Sequence, residues 1–214
     1  MRVVGDQRLT ALGCQAGQLM CAVTNIISCE VVQVWWSSAV DGPISSVRIL
    51  HHSSKSTEAG NYHLVVGSAL ELGVVFLNVM EEGFGRSVVL PDSHKHDSVL
   101  CVELADVDWD GQQEIILGTF GKDILVYKLS MKEGDVMVAD LVWQHSLAHR
   151  IHCMWYGDLT HDGLSELAVV STGGIHILQH NMEQARRLVI ERLVHSLDQE
   201  EGDRLEPNDD NTCS

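Results

Sequence analysis

Basic residues are scarce in this chain. Against 14 Lys and Arg stand 30 Asp and Glu, giving a formal net charge of −16. Proteins that grip nucleic acid without regard to sequence neutralise phosphates with Lys and Arg, and those that adhere to anionic lipid use polybasic patches. Neither partner is expected here, nor is direct membrane insertion. The acidity is uneven, because residues 198–214 hold seven carboxylates (Asp198, Glu200, Glu201, Asp203, Glu206, Asp209, Asp210) and one basic residue, Arg204. Without that segment the remainder carries about −10. The segment also has no apolar face and reads as a disordered acidic tail.

Other absences narrow the field further. The six cysteines (Cys14, Cys21, Cys29, Cys101, Cys153, Cys213) form no CxxC pair and no Cys/His spacing suited to zinc. They are expected to be small buried hydrophobes in a reducing compartment. Residues 9–29 carry no charge, yet Gln15, Gln18, Thr24 and Asn25 interrupt them with Gly13 and Gly17 between. Polar groups of that kind are costly in hydrocarbon, so two paired strands are expected rather than a membrane span or signal peptide. GxSxG, P-loop, HExxH and strand-to-helix GxGxxG motifs are missing. The histidines do not stand with Cys or carboxylates at metal or triad spacing; His51-His52 and His94-x-His96 are expected in polar loops. Asp106 and Asp110 as a glycosidase pair would need an aromatic sugar platform, and nothing aromatic lines up around them. No enzyme is expected, with no catalytic residues and no certain cofactor.

What the chain does contain is a repeat. Asp106-Val107-Asp108-Trp109-Asp110-Gly111 leads to Glu114-Ile115-Ile116-Leu117-Gly118, then Gly121 and Ile124-Leu125-Val126-Tyr127. Fifty-two residues later come Asp158-Leu159-Thr160-His161-Asp162-Gly163, Glu166-Leu167-Ala168-Val169-Val170, Gly173 and Ile175-His176-Ile177-Leu178. Two earlier copies, around Gly13 and Gly67, lack the acidic loop but keep strand, Gly, turn and strand. The glycines Gly13, Gly67 and Gly118 lie 54 and 51 residues apart. Residues 31–36 and 141–144, and residues 44–50, 98–104 and 150–156, add β-branched and aromatic segments to each period. About four antiparallel strands per fifty residues is the unit of a β-propeller blade. Helical spacing emerges only in residues 182–197, where Ala185, Leu188, Val189, Arg192 and Leu193 share one face. The expected organisation is all-β: four blades over residues 1–181, an amphipathic C-terminal helix over 182–197 and the tail over 198–214.

D-x-D-x-D-G opens a calcium loop, in which alternate carboxylates wrap one ion and Gly permits the sharp turn. The twelfth position, a bidentate Glu in an EF-hand, is Leu117 here, so an EF-hand is excluded. Asp106, Asp108, Asp110 and Glu114 nonetheless form a candidate metal set for calcium. The competing reading is that the Asp side chains cap backbone N–H groups without a metal. In the second loop Thr160 replaces the central Asp and leaves Asp158, Asp162 and Glu166, which favours turn structure over metal.

Several runs carry a resemblance: residues 8–15 (Arg-Leu-Thr-Ala-Leu-Gly-Cys-Gln), 41–45 (Asp-Gly-Pro-Ile-Ser), 97–101, the two acidic loops and 176–180 (His-Ile-Leu-Gln-His). In these the chain resembles the kaptin family, β-propeller-like subunits of the KICSTOR complex, over about the C-terminal half of such a protein. The acidic loops are shared with integrin-type FG-GAP propellers. The resemblance implies part of a seven-bladed FG-GAP/WD40-like propeller whose remaining blades lie outside these residues or come from elsewhere, in preference to a four-bladed closure. It implies a non-catalytic scaffold that helps recruit the GATOR complex to lysosomes and restrains TOR complex 1 signalling when nutrients are scarce. Implied partners are other KICSTOR-like subunits, including an FG-GAP-type propeller, and GATOR. The implied location is cytoplasmic with recruitment to the lysosomal membrane. The family also implies an association with actin filaments at lamellipodia, which sits poorly with the acidic balance. A calcium-dependent adhesion propeller is the remaining alternative and would need metal in both loops.

Overall fold

Alternation of apolar and polar residues is what a half-buried strand requires, and the segments that show it form strands. The computed structural model describes residues 1–37, 40, 42–52, 61–132, 136–183, 186–187, 189–191 and 193–194. The first sheet contains β1 (Arg2–Val4), β2 (Gln7–Gly13), β3 (Leu19–Asn25) and β4 (Val31–Ser37). The second contains β5 (Ile44–His52), β6 (Asn61–Ser68), β7 (Val74–Phe76) and β8 (Ser87–Val89), and the third β9 (Val99–Ala105), β10 (Glu114–Thr119), β11 (Asp123–Lys132) and β12 (Val136–Ser146). The fourth has three strands, β13 (Ile151–Gly157), β14 (Glu166–Ser171) and β15 (Gly174–Leu178). Within each sheet every strand pairs antiparallel with its sequence neighbour, so each sheet is a propeller-like meander.

The uncharged run near the N-terminus is the β2–β3 hairpin, with Leu9 facing Val23 and Ala11 facing Cys21 across it. No helix among the described residues is long and apolar enough to cross a membrane. Two three-residue strands, β1 and β8, were not evident from periodicity, because three residues barely complete one alternation. The fourth sheet, expected to hold about four strands, holds three among the described residues.

A sheet with one apolar face must bury it against another layer. Here each of the first three sheets does so against the next. Leu9, Leu19, Cys21 and Val23 of the first meet Tyr62, Leu64, Val66 and Phe76 of the second. Leu50, Val65 and Val75 of the second meet Leu117, Leu125 and Tyr127 of the third. Ile116, Ile124 and Val126 of the third meet Ile151, Met154 and Val169 of the fourth.

The repeat glycines sit at these three interfaces. A Cβ at Gly13 would lie 2.6 Å from Ile44 Cγ2, one at Gly67 would lie 3.0 Å from Val102 Cγ2, and one at Gly118 would lie 2.8 Å from Ile151 Cγ2. In each case the end of one sheet's strand meets the first strand of the sheet that follows. Their conservation of position within the chain is therefore a matter of space, since none has a positive φ. At the corresponding place in the fourth sheet stands Val170.

The cysteines depart from expectation. Cys21 is buried and Cys101 half-buried, and burial pushes their thiols up to about 11 and about 12. Cys14, Cys29 and Cys153 are exposed, in turns or on the outer side of β13, and Cys213 lies outside the described residues. The chain divides into two compact units, Met1–Leu178 and Gln179–Ser214. In the second, residues 182–183, 186–187, 189–191 and 193–194 are helical, opened by a 3.0 Å bond from the Glu183 N–H to Asn181 Oδ1. Ala185, Leu188, Arg192 and the acidic tail lie outside the described residues.

The packing role of the glycines predicts an asymmetry between sheets. Gly118→Val overfills the third interface and should lower unfolding free energy by about 1–3 kcal/mol in urea titration. Val170→Gly removes no such close contact and should cost about 1 kcal/mol or less.

Candidate functional site

Both acidic loops link the first and second strands of their sheets, β9 to β10 and β13 to β14, and fold around the same hydrogen bonds. The Gly111 N–H donates to Asp106 Oδ2 at 2.9 Å, and the Gly163 N–H to Asp158 Oδ2 at 3.0 Å. The Gln112 N–H donates to Asp110 Oδ1 at 2.7 Å, and the Leu164 N–H to Asp162 Oδ1 at 2.9 Å. Trp109 and His161 both take left-handed φ values, 59° and 58°, and the glycines two residues on have φ 89° and 90°. Gly is required there, since a side chain at such φ is strained. A glutamate closes each loop: Glu114 and Glu166, 1% and 2% exposed, accept the Val107 and Leu159 N–H groups, both at 2.8 Å.

The loops part company at the second carboxylate oxygen of that buried Glu. In the first, Lys128 reaches over from β11; its Nζ lies 3.1 Å from Glu114 Oε1, donates to Asp110 Oδ2 at 2.6 Å and donates to Asp108 Oδ2. In the second, the Thr160 hydroxyl donates to Glu166 Oε1 at 3.0 Å. The residue at the third loop position therefore decides how the buried acid is satisfied. With Asp108 there, extra negative charge accompanies an ammonium; with Thr160, one hydroxyl suffices.

Of the calcium candidates, oxygens of Asp106, Asp108 and Asp110 lie within 4.8 Å of one another, and Glu114 joins Asp108 and Asp110 through Lys128. Asp158, Asp162 and Glu166 form a second such group. A dication entering the first loop would have to displace the ammonium. Lys128 escaped sequence reasoning because it lies 14 residues beyond Glu114. The available signal was register: Ile115 pairs with Tyr127, which places the next residue beside Glu114.

Charge follows this geometry. Burial pushes the Glu114 carboxyl up, against the Val107 N–H and Lys128. Burial also opposes the charged form of Asp110, but the Lys128 and Gln112 hydrogen bonds outweigh it and hold that carboxyl below its ordinary 3.8. Burial likewise disfavours the Lys128 ammonium, yet bonds to Asp108, Asp110 and Glu114 hold it charged well above the usual lysine range.

His51 and His52 are placed differently from expectation. Both end strand β5, their rings tilted against those of Tyr62 and His63 at 4.9 and 5.9 Å between centroids, rather than occupying a loop. His63 itself is buried; its Nδ1 accepts the Asn78 N–H at 2.9 Å, and burial drives its pKa down to about 4. His94 and His96 lie in a 3₁₀ turn, Ser93–His96, with His96 Nδ1 2.9 Å from Asp123 Oδ2.

Two outcomes follow from the Lys128 contacts. Lys128→Gln should raise affinity for calcium by about tenfold or more, an ion pair's worth of competition, read by terbium luminescence or calorimetry. Because Asp110 titrates lower in the folded state, its stabilising contribution is present above pH 3.8 and fades as pH falls through the lower folded value. The Tm advantage of the parent over Lys128→Gln should therefore narrow below pH 3.8.

A family model described as KICSTOR complex protein kaptin matches residues 3–190, which takes in all four sheets and both acidic loops. The mouse (Mus musculus) KICSTOR complex protein kaptin is 40% identical over 212 residues, covering 94% of this chain and 49% of the mouse protein. The chain thus spans about half the length of that curated relative. With the repeat, the meanders and this match in agreement, the chain belongs to the kaptin family of KICSTOR complex proteins.

Proposed function

We propose that the chain acts as a non-catalytic scaffold subunit of a KICSTOR-like complex, helping to recruit GATOR to lysosomes and to restrain TOR complex 1 signalling when nutrients are scarce. The observation that carries this reading is the apolar character of two exposed outer strands. On β4, Val31, Val32, Val34 and Trp36 face solvent; on β12, Leu141, Val142 and Trp143 do. Single exposed apolar residues are ordinary, whereas contiguous rows with tryptophan mark surfaces that meet other proteins. Stacked antiparallel sheets hold such rows rigidly, so little conformational entropy is lost on association. The acidic loops support the same reading, since the Lys128 ammonium and the Thr160 hydroxyl already stand against their buried glutamates. Family membership supplies the choice of complex.

The test is co-purification of the tagged full chain from cells. KICSTOR subunits and GATOR should be recovered with it. Trp36→Asp and Trp143→Asp, each with an unchanged Tm, should cut that recovery severalfold; recovery of the chain alone would overturn the reading.

A further inference from the structure

The second sheet ends on the short strand β8, where Val74 lies opposite Val89 and Phe76 opposite Ser87. Directly opposed residues share a face of the sheet, so these four side chains stand together. Val74 and Phe76 continue the apolar layer between the first and second sheets. Beside them Leu72, Val40, Glu71 and His94 complete a cavity of about 500 Å³. That volume is within the range of pockets that enclose a ligand.

Two buried hydroxyls fix its walls. Ser68 Oγ accepts the Leu70 and Glu71 N–H groups, both at 3.3 Å. Ser93 Oγ accepts the Gly73 N–H at 2.9 Å and donates to the Leu90 carbonyl at 3.0 Å, and the Leu90 N–H donates to the Gly73 carbonyl at 2.8 Å. The turn that carries Glu71 is thereby tied to the 3₁₀ turn that carries His94, and little ordering is needed when something enters. Among the described residues no donor or cation meets the Glu71 carboxylate, and Lys95, next to His94, is already paired with Asp92 at 2.8 Å. Val89, 46% exposed, and Leu70, 73% exposed, carry the apolar character out to the surface.

An apolar cavity with one open carboxylate is selective. A wholly apolar occupant would take water from Glu71 and return no partner, which is costly. An acidic group would be repelled, and a second copy of the chain brings the same net charge of −16. A lysine or arginine side chain meets both demands, because its methylene stem lies along apolar surface while its charged end pairs with a carboxylate. We infer that the cavity receives a basic side chain from a partner protein, its stem against Val74, Phe76 and Val89 and its charge at Glu71. Apolar neighbours in the same segment fill the remaining space, and the Ser87 hydroxyl offers a second acceptor. The acidity of the chain attracts the same class of partner over longer range. The inference rests on this cavity, not on the scaffold reading or its choice of complex.

The experiment titrates the full chain, methyl-labelled at Leu and Val, with acetyl-Leu-Arg-Leu-amide and follows Leu72, Val74 and Val89 by NMR. Saturable shifts with a Kd of about 1 mM or tighter are expected. The citrulline analogue keeps the shape without the charge and should bind at least about fivefold more weakly. Glu71→Gln should weaken binding of the arginine peptide by a similar factor at an unchanged Tm. Glu71→Lys should turn the preference toward acetyl-Leu-Glu-Leu-amide, which a merely structural role for Glu71 would not do. Four results would overturn the proposal. Absence of saturable shifts at these methyl groups would exclude an occupant of this kind. Equal binding of the citrulline peptide, or no effect of Glu71→Gln, would leave an apolar site without charge selection. Butylguanidine binding as tightly as the peptide would assign the cavity to a small cation. Shifts that grow with protein concentration alone would assign it to a second copy. Co-purification of the parent chain with KICSTOR subunits is read separately, so failure here and failure of the scaffold reading are distinguishable.

Discussion

Close approach of consecutive sheets is the constraint on which the rest of the architecture depends. None of the meanders can bury both faces alone, and each of the first three relies on the sheet that follows it in the chain. That approach is limited by the residue at the end of each sheet's central strand, where Gly13, Gly67 and Gly118 allow the next sheet's first strand within van der Waals range. The fifty-residue rhythm is thus a packing rhythm. Val170 shows the same rule from the other side: where no described sheet is stacked, a branched side chain is accommodated.

The acidic loops are the second device, and in the third and fourth sheets they fasten the first strand to the second. A buried carboxylate must be hydrogen-bonded or paired. Glu114 and Glu166 meet that demand first through a backbone N–H inside their own loop, then through a partner that differs between the copies. Lys128 brings a charge that offsets Asp108 and Asp110 as well; Thr160 brings a neutral donor. The overall acidity of the chain therefore includes carboxylates already engaged in turn structure, so net charge alone overstates how much negative surface is free for partners.

Much of this was legible in the residues. The β2–β3 hairpin, the central strands of all four sheets and the two loops follow from alternation, turn residues and the repeat. The carboxylates of the candidate site were legible for the same reason, because their spacing is local. Lys128 was not, since it meets those carboxylates through strand register rather than proximity in sequence. The exposure of Cys14, Cys29 and Cys153 was likewise hidden, because a thiol's burial depends on which side of its strand or turn the neighbouring sheet occupies.

What the sequence alone determined is the all-β meander and its period, together with kaptin-family features carried by contiguous runs. These are local properties: side-chain alternation, turn chemistry and the recurrence of Gly-containing segments. Only the tertiary structure decided why those glycines recur and which groups meet each buried glutamate. Each of those depends on atoms brought together by sheet pairing and stacking, across separations in the chain that no local pattern encodes.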